Sequence, residues 1–495
     1  MTPTLFEAFE RACTEHGPRT ALTEGARRLT YGQFAALVDR RAKELDACLD
    51  DARRVVLYAP NSIDYLVSYV ALLRTGRVPF LVDAQFGSSE LEHIRKSCGT
   101  DAVLAAPETV SLLSSAVRTH RLPAHTLTVS VLERHSSDAP ELHQDTAVCR
   151  FTSGTTGAPK CLEFSHTAVL AAAANWRDGT GLSETDGTLC VAAFTNGLAF
   201  NTSLLPTFLA GGRLHLLTTL PTSARLAHAV RATGATRIAA FPLVYEALAR
   251  SSLPDDSLSG LRLALSAGAP LDPTARSAFT TRFGVRIADY YGIAETGPCT
   301  YERDSAVTTG LGTPLPGVSV RTAAPAEGNG AARILVRTAS MATRYLNEPG
   351  LLERAVDTEG YYRTSDTGSL TDGRLMVTGR LGGPVNIAGR KVDPTEVEAS
   401  VRTLPGVTDA AVFADRGADG APVLHLAVAS ARPLARTDIV RGLRSRIAGY
   451  KIPAMITMVE QIPRSAAGKI RLRALLSAVA EISGRTPVTG PKGRP

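Results

Sequence analysis

The chain has 495 residues, 44% of them hydrophobic, which is enough to bury more than one core and excludes a disordered or low-complexity protein. Its start lacks a basic stretch before a long apolar run, and the apolar segment 65–73 is far shorter than the ~20 residues that span a bilayer. Seven scattered cysteines, never spaced as CxxC, argue against a disulfide framework and a structural zinc site. We therefore expect a cytoplasmic protein without membrane insertion.

Positive charge is concentrated towards the C-terminal end. The formal net charge is +7, and the residues after Gly382 carry 17 Lys and Arg against 9 Asp and Glu. Such a surface can attract a phosphate-rich cofactor or an acidic protein, and it can equally be a solvated surface that favours solubility. No basic stretch with interleaved aromatic residues and no recognised nucleic-acid motif accompanies this charge, so a nucleic-acid partner is not expected.

Short β-branched runs alternate with amphipathic helical patterns between about residues 30 and 320. Apolar residues at 34, 37, 38 and 45 share one helix face. Strand-like runs lie at 55–58, 78–82, 213–217, 237–240 and 263–266. This alternation predicts an α/β fold with mostly parallel sheets flanked by helices.

The spacing of elements changes after Gly310, where Gly and Pro turns multiply. This predicts a small β-rich subdomain at about 310–380, within an N-terminal core of 1–380. The run Gly382, Gly383, Pro384 predicts a hinge at 381–383. A compact pattern of strands and helices over 384–481 predicts a small mobile α+β domain, and 482–495 is predicted to be a disordered tail.

The strongest local motif is FTSGTTGAPK at 151–160, which directly follows a strand-like run at 146–150. Backbone amides and hydroxyls of small residues can close around phosphate oxygens, and Lys160 adds a positive charge. The motif lacks the Gly-Lys-Ser/Thr ending of P-loop NTPases. We interpret it as a phosphate-binding loop; a plain surface turn is the alternative.

Three further motifs carry side chains suited to a nucleotide site. YYGIAETG at 290–297 offers an aromatic face for a purine and Glu295 for Mg²⁺. YRTSDTG at 362–368 offers Asp366 to ribose hydroxyls, and PRSAAGKI at 463–470 places Lys469 on a turn of the mobile domain. Considered singly, they are also explained by core packing, an Asx-turn and a surface lysine.

In this order, together with SAGAP at 266–270, TGR at 378–380 and GRKVDPTEVE at 389–398, the motifs resemble those of the adenylate-forming superfamily. This group includes acyl-CoA synthetases, luciferases and peptide-synthetase adenylation domains, the AMP-dependent synthetases and ligases. The resemblance runs from LTYGQF at 29–34 to Lys469. It implies that a carboxylic acid is activated with ATP and Mg²⁺ to an acyl adenylate, with release of pyrophosphate, and that the acyl group then passes to a thiol, CoA.

The resemblance also implies roles for individual residues. Lys469 would be the catalytic residue, Glu295 the magnesium ligand and Gly382 the hinge. The implied ATP- and AMP-binding residues are Thr152, Ser153, Gly154, Thr155, Thr156, Gly157, Lys160, Ala269, Pro270, Tyr290, Tyr291, Gly292, Ala294, Asp366 and Arg380. The acyl pocket would contain Phe194, Asn196, Asn201, Phe241 and Gly268.

Several positions depart from the pattern of the superfamily. Gly382 stands where Asp or Lys is usual, Asn386 where many acyl-CoA synthetases carry Lys, Ser365 for a glycine, Ala294 for a threonine and Arg333 for a glutamate. These departures weaken the implied use of CoA. A stand-alone enzyme that loads a carrier protein or forms an amide with an amine therefore stays open, as does a non-catalytic nucleotide-binding protein.

Asn201 bears on the substrate. Amino-acid-activating domains carry an Asp in the matching FDxS pattern, which pairs with the substrate ammonium, whereas this chain reads FNTS. Because a neutral amide supplies no charge, we expect an acid without a free α-ammonium, such as an aryl or small acyl acid. A helix cap is the alternative role for Asn201.

Overall fold

The structure is a computed structural model of the chain. It describes residues 3–112, 116–122, 127–132, 139–152, 159–217, 222–268, 271–303, 310–323, 332–380, 385–387, 390–417, 421–463, 470 and 472–483. The chain divides into two compact units. The first contains Met1–Ala84, Ile94–Thr152 and Lys160–Gly382, and the second contains Gln85–His93, Ser153–Pro159 and Gly383–Pro495.

Strands make up most of the first unit. In chain order they are β1 (Thr20–Glu24), β2 (Arg27–Thr30), β3 (Arg54–Tyr58), β4 (Val78–Leu81), β5 (Ala102–Ala105), β6 (Ala116–Arg121), β7 (Thr128–Leu132), β8 (Thr146–Thr152), β9 (Lys160–Ser165), β10 (Gly187–Cys190), β11 (Arg213–Leu216), β12 (Arg237–Ala240), β13 (Leu263–Ser266), β14 (Ile287–Ile293), β15 (Gly297–Tyr301), β16 (Thr313–Pro314), β17 (Val318–Ala323), β18 (Arg333–Thr338), β19 (Arg344–Tyr345), β20 (Tyr362–Thr371) and β21 (Arg374–Arg380).

These strands form three sheets. The first has the order β16-β15-β14-β13-β12-β10-β11-β1-β2, and its strands from β14 to β1 are parallel. The second has the order β19-β9-β8-β4-β3-β5-β7-β6, with β8, β4, β3 and β5 parallel. The third, β17-β18-β20-β21, is antiparallel and forms the β-rich part between 318 and 380.

Helices precede and connect these strands. These are α1 (Leu5–Glu15), α2 (Tyr31–Leu49), α3 (Ile63–Arg74), α4 (Ser88–Cys98), α5 (His166–Thr180), α6 (Gly197–Ala199), α7 (Leu205–Leu209), α8 (Ser223–Thr233), α9 (Pro242–Ala249) and α10 (Pro273–Phe283), with 3₁₀ turns at Pro107–Leu112, Asp255–Leu258 and Glu353–Ala355. Local sequence explains where several begin: Thr4 with Glu7, and Thr30 with Gln33, form capping boxes that satisfy the first free amides.

One apolar core joins the two large sheets. It is built from α1, α2, α3, α5 and α7 together with strands of both sheets, while α8, α9 and α10 cover the other face of the first sheet. The central parallel strands are buried along their whole length, as in β5 and β13, which is why they read as apolar runs rather than as alternating patterns. The predicted α/β fold is confirmed.

The second unit is smaller. It contains the hairpin β22 (Val385–Ile387) and β23 (Arg390–Val392), the sheet of β24 (Val407–Arg416), β25 (Pro422–Ser430) and β26 (Met455–Met458), the helices α11 (Pro394–Arg402), α12 (Arg436–Arg444) and α13 (Leu472–Ser483), and a 3₁₀ turn at Gly449–Lys451. The first two residues of the predicted tail, Ile482 and Ser483, end α13 instead. The rest of the tail and the predicted hinge at Gly382 lie outside the described residues.

A buried ionic cluster lies inside the second unit. The side chain of Lys451 has no exposed surface, and its Nζ lies 2.8 Å from Glu90 Oε1 and 2.5 Å from Glu396 Oε1. Both carboxylates are also buried. Burial lowers the pKa of Lys451, but the nearby carboxylate of Glu396 and then that of Glu90 raise it above its usual value, so this lysine is charged.

Two predictions from composition concern the whole chain. All seven cysteines are free thiols, and all except Cys48 are buried. Among the helices that the structure describes, none is both long and apolar enough to cross a bilayer.

Candidate active site

The predicted phosphate loop lies between β8 and β9. Thr152, the last residue of β8, lies opposite Lys160, the first residue of β9. Lys160 is buried. The structure therefore brings the two ends of the motif together, whereas Ser153, Gly154, Thr155, Thr156 and Gly157 lie outside the described residues.

Tyr291 and Asp366 form the most direct link between two of the predicted motifs. The Tyr291 hydroxyl donates to Asp366 Oδ2 at 2.7 Å, although the residues are 75 positions apart. Both are buried, at 8% and 5% exposure. Burial, and then the charge of Asp366, raise the pKa of Tyr291, so the phenol keeps its proton and serves as a donor.

The backbone around Asp366 is held firmly. Its N–H donates to Thr364 Oγ1 at 3.0 Å, and the Thr364 hydroxyl donates to the carbonyl of Ile334 at 2.9 Å. In the β20–β21 ladder Asp366 lies directly opposite Arg380. The two residues that the resemblance assigned to ribose are therefore register partners, and Tyr291 lies beside one of them.

Glu295 lies in the turn between β14 and β15 and is half-buried. Tyr345 donates its hydroxyl to Glu295 Oε1 at 2.6 Å, and the Ala342 N–H donates to the Glu295 carbonyl at 2.7 Å. Burial and the Glu295 carboxylate raise the pKa of Tyr345, so it remains a neutral donor. No cluster of three or more His, Cys, Asp or Glu able to hold a metal occurs in the described part of the chain.

The glycine of this motif is required sterically. A Cβ on Gly292 would lie 2.8 Å from the Gly297 carbonyl oxygen and 3.1 Å from Pro298 Cα, both backbone atoms. Tyr290 faces the core, where its ring meets Trp176 edge-on at 5.0 Å. Tyr291 hydrogen-bonds to another predicted site residue, Asp366, whereas Tyr290 contributes to core packing.

The predicted acyl-pocket residues lie around a short π-helical turn, Phe200–Leu204, between α6 and α7. Such turns often occur at functional sites. Asn196 is the helix cap here, because its Oδ1 accepts from the Leu198 N–H at 2.8 Å. Asn201 lies inside the π turn and is buried, so the alternative role proposed for it, a helix cap, is wrong.

The other acyl-pocket candidates are more scattered. The Phe194 ring is buried 5.5 Å from the Tyr65 ring. Phe241 is half-buried immediately before α9, and Gly268 is exposed with a φ of 87° at the end of β13. Ala269, Pro270 and Lys469 lie outside the described residues, as does Gly382.

Tyr345 belongs to none of the motifs that the sequence singles out. Its partner Glu295 is 50 residues away, and Tyr345 belongs to a two-residue strand paired with β9. No local spacing marks it as a site residue, because its role depends on the packing of distant segments.

Family models and known proteins match this chain over most of its length. A family model described as "AMP-binding enzyme" matches residues 9–346, and one described as "AMP-binding enzyme C-terminal domain" matches residues 396–469. A feruloyl-CoA synthase of an Amycolatopsis species is 27% identical over 467 residues, covering 91% of this chain and 94% of that protein. A 3-hydroxybenzoate–CoA ligase of Aromatoleum sp. (strain CIB) is 25% identical over 490 residues, covering 92% and 94%.

A solved structure shares the fold. The amide bond synthetase of Marinactinospora thermotolerans superposes with a TM-score of 0.82 at 22% identity, covering 94% of this chain and 98% of that one. The first family model spans well over half of the chain, and the second spans most of the C-terminal part. The chain therefore belongs to the AMP-binding enzymes, the adenylate-forming superfamily, and is an AMP-forming acid ligase that uses ATP.

Proposed function

We propose that this ligase activates a carboxylic acid as its acyl adenylate and then transfers the acyl group to the thiol of CoA. The buried hydrogen bond between Tyr291 and Asp366, 2.7 Å long, is the observation that carries the proposal for the nucleotide end. It joins an aromatic residue and a carboxylate from two distant motifs in the arrangement needed to border a base and accept from ribose hydroxyls. The names of the two CoA-ligase relatives support the choice of acceptor.

In this proposal Asp366 binds the ribose. Tyr291 donates to one of its carboxylate oxygens, which orients the group, and a carboxylate can accept several hydrogen bonds. Arg380, its register partner, contributes to the same sugar. Lys160 and the small residues after Thr152 bind the β- and γ-phosphates.

The residues present fit a magnesium ion beside those phosphates. Glu295 is half-buried, and Tyr345 donates to only one of its two carboxylate oxygens. A single carboxylate together with phosphate oxygens and water is the usual environment of Mg²⁺ in phosphate chemistry. The bound ion would neutralise charge on the phosphates, and Tyr345 would fix the orientation of Glu295.

The first half-reaction is an in-line displacement. A carboxylate oxygen of the acid attacks the α-phosphorus, the bond to the β-phosphate bridging oxygen breaks, and pyrophosphate leaves. Lys469 supplies positive charge to the carboxylate and the α-phosphate as negative charge develops between them. In the second half-reaction the thiol sulfur, having lost its proton, attacks the acyl carbon, and AMP leaves.

A second acceptor class is supported by specific observations. Asn386 lies in β22 where many acyl-CoA synthetases carry Lys, and the fold closely matches that of an amide bond synthetase. An amine, or a carrier-protein thiol attracted by the basic C-terminal part, is therefore the alternative to CoA.

Pyrophosphate release tests the proposal. We expect release that depends on an acid when aryl, fatty and amino acids are supplied with ATP and Mg²⁺, and an acyl-CoA product when CoA is added to the acids that respond. Release without CoA consumption, followed by amide formation with an amine, would assign the alternative acceptor. Absence of release with every acid would contradict the proposed activity.

Asp366→Ala is expected to weaken ATP binding by about 1 to 3 kcal/mol, because a buried acceptor for the ribose is lost. Tyr291→Phe should have a smaller effect, since it removes only the donor that orients Asp366. Titration calorimetry with ATP measures both. Ser369→Ala is the matched control, because Ser369 is exposed on the same strand. Equal ATP affinity for all three variants would contradict the placement of the ribose.

A further inference from the structure

Arg150 is a buried cation that the proposed reaction does not use. It lies on β8, two residues before the end of the strand, and only 6% of it is exposed. Its guanidinium carbon lies 4.6 Å from the ring centre of Phe200 and 5.7 Å from that of Phe164. No acceptor or carboxylate in the described part of the chain pairs with it, and its Nε is fully buried without a partner.

This arrangement is costly for a protein without a ligand. Burial lowers the pKa of Arg150 to about 10, so the group still carries its charge at neutral pH. An unpaired buried charge is strongly unfavourable, and contacts with two aromatic rings offset only part of that cost. The unpaired guanidinium therefore indicates that an anion completes this region.

Two nearby hydroxyls are also buried without a hydrogen-bond partner in the described part of the chain. Tyr65 and Tyr69 on α3 are both 1% exposed, and neither hydroxyl oxygen has a hydrogen-bond partner in the described residues. Both tyrosines are neighbours of Arg150, and the Tyr69 ring meets Phe200 edge-on at 6.2 Å. Burial raises the pKa of both phenols, so they are neutral and able to donate. The cluster thus presents three donor groups, and the acidic residue Asp83 lies near Tyr65.

The cluster adjoins the predicted acyl pocket. A Cβ on Gly197 would lie 3.3 Å from Arg150 Nη2 and 3.7 Å from Asn201 Nδ2. Asn201 Nδ2 in turn lies 3.6 Å from the position of a Cβ on Gly297, two residues after Glu295. Arg150, Asn201 and Gly297 therefore form a continuous path from the donor cluster to the nucleotide motif.

We propose that Arg150, with Tyr65 and Tyr69, binds a second carboxylate of the acid substrate, so that this ligase activates one end of a dicarboxylic acid. A carboxylate can accept two parallel N–H bonds from a guanidinium and further bonds from hydroxyls. An ammonium at this position would be repelled, and an apolar acyl chain would leave the donors unpaired. The inference rests on the proposed function, in which the other carboxylate of the acid is the one that is activated.

Discrimination between matched acids tests this assignment. Straight-chain dicarboxylic acids of four to eight carbons are compared with monocarboxylic acids of equal length, and benzenedicarboxylic acids with benzoic acid, by pyrophosphate release. A site built to bond a polar group rejects an analogue that lacks it strongly, so we expect at least one dicarboxylic acid to exceed its partner by about 100-fold or more in kcat/KM.

Arg150→Met should abolish that preference while leaving the rates with monocarboxylic acids unchanged or higher. Arg118→Met, which removes a half-exposed arginine of β6, should keep the preference. Wild-type preference for monocarboxylic acids, or an equal loss with both classes in Arg150→Met, would overturn the inference. If Arg150→Met fails to fold, Tyr69→Phe provides the test, because it removes an unpaired hydroxyl. This variant should lower kcat/KM for the dicarboxylic acid alone. An unchanged preference for the dicarboxylic acid would overturn the assignment.

A binding measurement separates this inference from the proposed function. The responding dicarboxylic acid, or each acid in turn if none releases pyrophosphate, is added to the full chain and the thermal midpoint is measured. A rise in the wild type that is absent in Arg150→Met supports the carboxylate site even if activation itself fails. No rise with any dicarboxylic acid, or an equal rise with the monocarboxylic partners, would contradict it.

Discussion

Replacing Lys469 with alanine is expected to lower the rate of adenylation by a factor on the order of 10³ while leaving ATP affinity nearly unchanged. The lysine acts where charge develops during attack of the carboxylate on phosphorus, and a preorganised charge of this kind contributes far more to the transition state than to ATP binding. Acid-dependent exchange between ATP and labelled pyrophosphate measures the rate, and calorimetry measures the affinity.

The second half-reaction provides an internal control for this variant. Because Lys469 is assigned to the first half-reaction alone, Lys469→Ala should still transfer the acyl group when the acyl adenylate is supplied ready-made. Lys492→Ala removes the same charge from the chain and should leave both steps unchanged. Near-normal exchange in Lys469→Ala would refute the assigned role.

Lys451→Met is expected to destabilise the second unit by about 3 to 5 kcal/mol, because it leaves the carboxylates of Glu90 and Glu396 buried without a cation. Denaturant unfolding of the full chain measures the loss of unfolding free energy in its least stable transition. Glu396→Gln is the matched control: it keeps the bond between Lys451 and Glu90 and should cost much less at pH 8. Equal stability of wild type and Lys451→Met would contradict the ionic cluster.

The same cluster predicts a pH dependence. Burial raises the pKa of Glu396 to about 7 from 4.5, against the opposing charge of Lys451 and with Glu90 and Asp393 adding to the rise. The folded state therefore holds this proton more tightly than the unfolded chain does. Its contribution to stability is complete below about pH 4.5 and is lost as the pH rises towards 7. Glu396→Gln should remove this part of the dependence of the unfolding free energy on pH. If the dependence is unchanged in the variant, a different group causes it.

Much of the fold follows from short-range patterns in the sequence. Strands such as β3, β12 and β13 are apolar runs buried on both faces, and their composition marks them without reference to the rest of the molecule. The helix starts at Thr4 and Thr30 are set by capping residues three positions apart. The glycine at 292 and the carboxylates of Glu295 and Asp366 are parts of contiguous motifs, so the sequence alone identifies them as candidate site residues.

Tertiary structure alone decides which distant side chains meet. The partners of Asp366 and Glu295 lie 75 and 50 residues away along the chain, and Glu90 joins a cluster with residues more than 300 positions later. Asn196, rather than Asn201, is the helix cap because Asn201 lies inside a π turn, and no residue pattern in the sequence predicts that turn.

Arg150 shows most clearly the difference between what the sequence determines and what tertiary packing determines. Its position in an apolar strand is visible in the sequence, but a buried arginine is ordinarily matched by a carboxylate, and only the packing of α3, β8 and the π turn leaves it with aromatic rings and hydroxyl donors instead. Local composition determines the elements and the motifs because these depend on neighbours along the chain. Partnership, burial and unmatched charge depend on contacts between segments far apart in sequence, and these arise only when the chain is folded.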